Sequence, residues 1–145
     1  ENDIRYILDD ALIIRTGGLF WKSHHLFSKL LENLKHNKQF DAYVDRYNTP
    51  TSMTTLAMSI IDLYNAHKSG IVHVHDKLKL NRYNFLAMYL KSIGTKSTIL
   101  NGTVAGDSIL IPYDLSLASI YENKHSISQF ERMVDYENSN YIAVD

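Results

Sequence analysis

Basic side chains in this sequence concentrate where a short strand is followed by a helix, and such side chains can bind phosphate groups. Lys77, Lys79 and Arg82 flank one predicted junction. Asn84 and Lys91 follow on the helix, on the side opposite its apolar stripe. Lysine and arginine neutralise phosphates, and asparagine can reach base edges. These five residues are the main predicted nucleic-acid contacts.

A second basic patch occupies the corresponding place in the first half of the chain. It contains Lys22, His25 and Lys29. Between Arg15 and Lys96 there are twelve Lys/Arg and five Asp/Glu, a local charge of +7, whereas the whole chain has a net charge of -1. A local field can recruit phosphate or an acidic partner whatever the total charge. The alternative is a solvated helix face whose lysines aid solubility and complement the helix dipole.

Two helix-period patterns with the same spacing predict the elements that carry these patches. The first apolar stripe is Leu26, Phe27, Leu30, Leu31 and Leu34, and the second, 59 residues later, is Phe85, Leu86, Tyr89, Leu90 and Ile93. A short extended segment precedes each stripe. Ser23 and Asn81 are the predicted N-caps of the two helices.

The sequence between and after these helices predicts the remaining elements. We expect a helix from about residue 52 to 68, a strand at 71–75, a loop or hairpin around 98–104 and a last helix from 126 to about 135. A helix at 113–121 would match the one before residue 68. The predicted fold is therefore α+β, with two similar strand-helix-helix units, half-units 13–69 and 70–135, packed into one compact domain over residues 1–145 with small β-sheets and a hairpin. Chance similarity of two amphipathic segments remains the alternative.

Composition excludes several classes of protein. The 145 residues are 45% hydrophobic, enough for one sizeable core, and contain no cysteine, which excludes disulfides and cysteine nucleophiles. No glycine-rich phosphate loop, nucleophile elbow or HExxH motif is present. No apolar run approaches the roughly 18–20 residues of a transmembrane helix. We therefore predict a non-enzymatic protein without catalytic residues, cofactor, metal or membrane segment, and its first residue, Glu1, suggests an excised or processed piece.

Two histidines leave a weaker enzymatic hypothesis open. His73 and His75 alternate on one face of the predicted strand, which is one way to begin a metal site. Such a site needs a third ligand, and no second cluster at ligand spacing is visible in the sequence. Histidines on the wet face of an edge strand are the preferred interpretation.

Two segments resemble a known DNA-binding family. The segment from Thr103 to Ala118 contains Ile111-Pro112-Tyr113-Asp114 and resembles the end of a KilA-N/APSES domain. Upstream, the segment 74–81 followed by Phe85-Leu86 resembles the opening of that family, so the resemblance covers about residues 72–122. It implies an α+β DNA-binding fold with a helix pair and a β-hairpin wing, as in fungal transcription factors and viral or phage proteins.

The sequence thus favours a DNA-binding module that contacts phosphates and bases through basic strand-to-helix junctions, in an intracellular protein for which the nucleus is one option. The alternative is a non-catalytic protein- or peptide-binding scaffold. Its basis is the near-neutral total charge, a presumed wing without Lys or Arg, and ten tyrosines, a residue type favoured in interfaces. The acidic flanks could also cover the basic block, within one chain or in a homodimer.

Overall fold

The computed structural model describes residues 1–8, 10–106 and 112–120. The helices in these residues are α1 (Asn2–Ile7), α2 (His25–Lys35), α3 (Met53–Asn65) and α4 (Arg82–Ser92), with a 3₁₀ turn at Ser97–Ile99. The strands are β1 (Leu12–Thr16), β2 (Leu19–Phe20), β3 (Phe40–Tyr43), β4 (Tyr47–Asn48), β5 (Thr51–Ser52), β6 (Gly70–Val74), β7 (Leu80–Asn81) and β8 (Leu100–Thr103). The α+β character of the prediction is confirmed.

The strands form two-stranded sheets that connect distant parts of the chain. β1 pairs with β6, β2 with β5 and β3 with β8, all parallel, whereas β4 pairs with β7 antiparallel. Parallel strands require a crossover connection, and here α2 or α3 lies in each crossover. Since β1, β3 and β4 all pair with strands that follow residue 69, the two predicted half-units interlock.

The hydrophobic core lies between α2, α4 and the β3–β8 pair. Leu30 of α2 and Leu86 and Leu90 of α4 have no exposed surface. The rings of Phe27 and Tyr89 stack with their centroids 4.2 Å apart. The two apolar stripes predicted from the sequence are therefore confirmed as the facing surfaces of these helices.

The two helix N-termini agree with the sequence only in part. Asn81 caps α4 as predicted, because its Oδ1 accepts a hydrogen bond of 2.8 Å from the Asn84 N–H. The prediction that Ser23 caps α2 is wrong. The helix begins two residues later, and His24 Nδ1 accepts from the Leu26 N–H at 3.2 Å.

The second half of the chain departs from the predicted repeat. The loop or hairpin expected around 98–104 is wrong, because β8 forms there, pairs with β3 and places Leu100 in the core. Residues 112–120, where a helix was expected, contain none. The similarity of the two units therefore ends after α4 in the described residues. The last predicted helix, 126–135, lies outside them.

Residues 112–119, which we call the strap, are held in an extended path by both halves of the fold. The strap runs beside Tyr47, whose N–H donates to the Tyr113 carbonyl at 2.9 Å and whose carbonyl accepts from the Leu115 N–H at 2.8 Å. Further along, Ser119 Oγ donates to the His73 carbonyl at 2.6 Å. An ion pair between Lys79 and the strap's Asp114 fixes the middle of this segment.

Among the described residues, no helix has the length and apolar character needed to cross a membrane.

Replacing Asn81 tests how strongly the start of α4 is fixed. Asn81 is buried, and its Nδ2 also donates to the Val44 carbonyl at 2.9 Å. Asn81→Ala removes the cap and that donor, so we expect the free energy of unfolding to fall by about 1–3 kcal/mol in urea titrations. Asn81→Asp keeps the cap acceptor and should lose less. Equal losses for both variants would contradict the capping role.

The Lys79–Asp114 ion pair predicts a pH dependence of stability. Hydrogen bonds from Lys79 and then Ser116 lower the pKa of Asp114 from its ordinary value of 3.8 to about 2. Because the folded pKa is depressed, the contribution is complete above about pH 4 and is lost as pH falls through about 2. Asp114→Asn should therefore lower stability at pH 7, and the difference from the parent protein should shrink on acidification.

The control for this change is Glu32→Gln, which removes an exposed carboxylate on α2. Its effect on denaturant midpoints should be small at every pH. A pH-independent effect of Asp114→Asn would show that the ion pair does not supply the stability.

Candidate functional site

A cavity of about 260 Å³ lies where β2, the β3–β4 segment and the first turns of α2 and α4 meet, and we call it the junction cavity. Two arginines and a histidine line it, and the lining residues that the structure describes include no Asp or Glu. The lining residues are Gly18, Leu19, Phe20, His24, Leu26, Tyr43, Arg46, Tyr47, Asn48, Pro50, Arg82, Phe85, Pro112 and Leu115. A cavity with this charge balance favours an anionic ligand.

Aromatic packing brings two helix N-termini to this cavity. The ring centroid of Phe27, in the first turn of α2, lies 5.7 Å from that of Phe85, in the first turn of α4, and the Phe20 ring of β2 contacts both. Neither helix has an acidic residue in its first turn. The partial positive charges of both helix dipoles therefore add to the potential of the cavity.

Arg46 is the buried cation of the site, with 8% of its surface exposed. Its Nη1 donates to Asp45 Oδ2 at 2.9 Å, its Nη2 donates to the Gly106 carbonyl, and its Cζ lies 3.8 Å from the ring centroid of Tyr113. The remaining donor, Nε, is buried without a hydrogen-bond partner among the described residues. Arg46, which directly precedes β4, thus contacts both the strap and the segment that follows β8.

Arg82 is the exposed cation of the site. It is the first residue of α4, and its guanidinium lies 5.4 Å from the ring centroid of Tyr43. Within residues 1–8, 10–106 and 112–120, it makes no ion pair or side-chain hydrogen bond. Its charge is therefore available to a ligand in the cavity.

His24 contributes a neutral imidazole to the cavity wall. Burial lowers the pKa of His24, and the neighbouring His25, whose ring centroid lies 4.3 Å away, lowers it further. A neutral ring leaves Nδ1 free to accept the Leu26 N–H that begins α2. Trp21 packs edge-on against this ring at 4.6 Å and is 43% exposed. The only tryptophan of the chain thus lies beside the cavity.

The structure separates the eight residues predicted as contacts. Arg82 lines the junction cavity, and Lys79 lies at its rim, 5.3 Å from the Tyr47 ring centroid. Asn84 and Lys91 line a different, open cavity beside α4. The other four, Lys77, Lys22, His25 and Lys29, are exposed and do not line the junction cavity. Whether any of the eight contacts a ligand stays a prediction.

Sequence reasoning missed several residues of the cavity, above all Arg46, Asn48, Tyr43 and His24. A signal was present, because Asp45-Arg46-Tyr47-Asn48 combines two charged, one aromatic and one amide side chain shortly before α3. Nothing in that tetrapeptide, however, distinguishes a buried arginine from an exposed one.

A third cavity, of about 590 Å³, lies between the end of α3, β6 and the strap. His73 lines it, and His73 Nδ1 lies 2.8 Å from the Ala118 carbonyl. Among the described residues, no three His, Cys, Asp or Glu side chains are grouped as metal ligands would be.

Comparison with known proteins finds one matching family model and several solved structures with a similar fold. A family model described as "RmlD substrate binding domain" matches residues 1–109. No curated protein matches the sequence. A dTDP-4-dehydrorhamnose reductase from Yersinia enterocolitica has 21% identity and a TM-score of 0.71, over 89% of this chain and 47% of its own.

Two further reductase structures have the same fold. The enzyme from Bacillus anthracis, in complex with NADP, has 18% identity and a TM-score of 0.70, over 81% of this chain and 42% of its own. A hypothetical dTDP-4-dehydrorhamnose reductase from Sulfolobus tokodaii has 29% identity and a TM-score of 0.67, over 85% of this chain and 46% of its own. The chain spans about half the length of the solved structures that it matches.

These findings correct the functional predictions from the sequence. The resemblance to KilA-N/APSES domains is wrong, because β8 forms a parallel pair instead of a wing hairpin and the described residues after Pro112 form no helix. The predictions of a DNA-binding module and a DNA partner are wrong, as is that of a non-enzymatic protein, and the alternative of a protein-binding scaffold has no support. The prediction of a nuclear location depended on DNA binding and has no support. The match over residues 1–109 shows that the chain belongs to the RmlD substrate binding domain family.

Proposed function

We propose that this chain is the substrate-binding part of an enzyme that acts on nucleotide sugars, and that the junction cavity holds the substrate. The observation that carries the proposal is the cavity itself, which has two arginines, two helix N-termini and no carboxylate among its described lining residues. The name of the family and the reductase names of similar structures support the same conclusion. We also propose that residues 1–145 form a single domain.

A nucleotide sugar has three parts whose chemistry corresponds to groups in the cavity. Its diphosphate is anionic and suits arginine and helix N-termini. Its base is aromatic and can stack on a tyrosine ring such as Tyr43 or Tyr47. Its sugar carries hydroxyls that can bond to the amide of Asn48. The volume of about 260 Å³ is at the low end of ligand sites, so the cavity would enclose part of the ligand and leave the rest at the open rim.

The residues of this chain do not fit a dinucleotide cofactor of the kind found in the Bacillus anthracis structure. A dinucleotide-binding turn needs G-x-G-x-x-G between a strand and a helix, and the six glycines of this chain nowhere form that motif. The role that we propose for this chain is to bind and orient the substrate.

Orientation is a real contribution to catalysis. Binding energy from a part of the substrate that does not react, here the nucleotide diphosphate, can hold the reacting sugar in one position. The phenylalanine cluster beneath the cavity fixes the two helix ends, so the groups that would hold the diphosphate are positioned before the ligand arrives.

Ligand binding to the purified chain tests this proposal. We expect dTDP-glucose to bind with a dissociation constant of about 1 mM or lower, the usual range for enzyme substrates, and to change the fluorescence of Trp21 beside the cavity. Titration calorimetry should give the same constant. Added salt should weaken binding because the interaction with the diphosphate is ionic.

Free glucose and a duplex DNA are the controls. Glucose lacks the diphosphate and should not change the fluorescence of Trp21, and the duplex should not displace dTDP-glucose. Absence of dTDP-glucose binding by both methods, or its displacement by stoichiometric DNA, would contradict the proposal.

A further inference from the structure

We propose that the two arginines of the junction cavity have different tasks: Arg82 binds the diphosphate, whereas Arg46 and Asn48 hydrogen bond to an uncharged hydroxyl of the ligand. The identity of the ligand as a nucleotide sugar rests on the proposed function. The assignment of Arg82 as an anion-binding residue does not, because it follows from the geometry of the cavity alone.

Arg82 has the properties of a phosphate-binding residue. Its guanidinium makes no ion pair among the described residues, and the face of the Tyr43 ring, 5.4 Å away, restricts where it can lie. It begins an 11-residue helix whose first turn has no acid, so the helix dipole favours an anion at the same place. A planar guanidinium can donate two parallel hydrogen bonds to one phosphate.

Arg46 cannot serve in the same way. Asp45, whose Oδ2 lies 2.9 Å from Nη1, balances the charge of Arg46, and Nη2 donates a hydrogen bond to the Gly106 carbonyl. A ligand phosphate would have to displace these partners from a residue of which only 8% is exposed. Arg46 is therefore a structural cation, and its charge is already compensated inside the protein.

Two residues that line the cavity each have a buried polar atom without a partner among the described residues, and one atom is a donor and the other an acceptor. Arg46 Nε is a buried donor, and Asn48 Oδ1 is a buried acceptor. Both residues line the junction cavity. Buried polar atoms are nearly always hydrogen bonded in proteins, so this pair independently indicates a ligand. We therefore assign these atoms to a hydroxyl of the ligand, since a hydroxyl can both accept a hydrogen bond from a donor such as Nε and donate one to an acceptor such as Oδ1.

Variants of Arg82 test the anion assignment with two probes, inorganic pyrophosphate and dTDP-glucose. Arg82→Gln should weaken both about 10- to 100-fold, the usual effect of losing a charge-assisted bidentate contact. Arg82→Lys keeps the charge but not the fork, so its loss should be smaller. Lys35→Gln is the control, because it removes one exposed charge from the last turn of α2, outside the cavity lining, and should leave both affinities unchanged.

Asn48→Ala tests the hydroxyl assignment. It removes the unpartnered acceptor, so dTDP-glucose should bind several-fold more weakly while the affinity for pyrophosphate stays the same. Circular dichroism and the midpoint of thermal unfolding of each variant show whether the fold is retained. An equal loss for both probes would contradict the separate tasks of the two residues.

The outcomes separate this inference from the proposed function. Binding of dTDP-glucose that is unaffected by Arg82→Gln would overturn the assignment of Arg82 and leave the proposed function standing. Binding of pyrophosphate that depends on Arg82, without binding of dTDP-glucose, would support the anion site and contradict the proposed function. Failure of pyrophosphate to bind at low salt would overturn the inference.

Discussion

The contact between the first turns of α2 and α4 is the interaction on which the site depends. Phe27 and Phe85 lie near the beginnings of their helices, with Phe20 against both and Tyr89 stacked on Phe27. Aromatic rings bury a large area and prefer edge-on or offset contacts, so the cluster fixes both distance and orientation. Two helix N-termini consequently lie side by side, although nearly sixty residues separate them in the chain.

This arrangement has an electrostatic consequence. Two positive helix ends with Arg82 beside them repel one another unless an anion lies between them. Within residues 1–8, 10–106 and 112–120, no acidic side chain of the cavity lining provides that anion. The charge of Arg46, in contrast, is neutralised within the protein by its ion pair with Asp45. The excess positive charge is thus confined to the open side of the cavity, where a ligand can enter.

The sequence predicted the two strand-to-helix junctions correctly, but the assignment of these junctions to DNA is wrong. Strand-to-helix steps with cations bind phosphate whether the phosphate belongs to DNA or to a small nucleotide, because the interaction is with the anion. Resemblance over residues 72–122 favoured DNA, but it depended on a hairpin and a helix that need particular partners. In the fold, β8 pairs with β3 and the strap pairs with Tyr47, so neither element forms in the described residues.

The sequence by itself determined the helices α2 and α4, their buried stripes and the Asn81 cap, because these depend on contacts within three or four residues. It also marked Arg82 as a cation at a junction. Only the tertiary structure decided which residues surround the cavity. Arg46 and Gly106 are sixty residues apart in the chain and meet because β3 pairs with β8. Burial and charge pairing of this kind arise from non-local strand pairing, which local sequence periodicity does not encode.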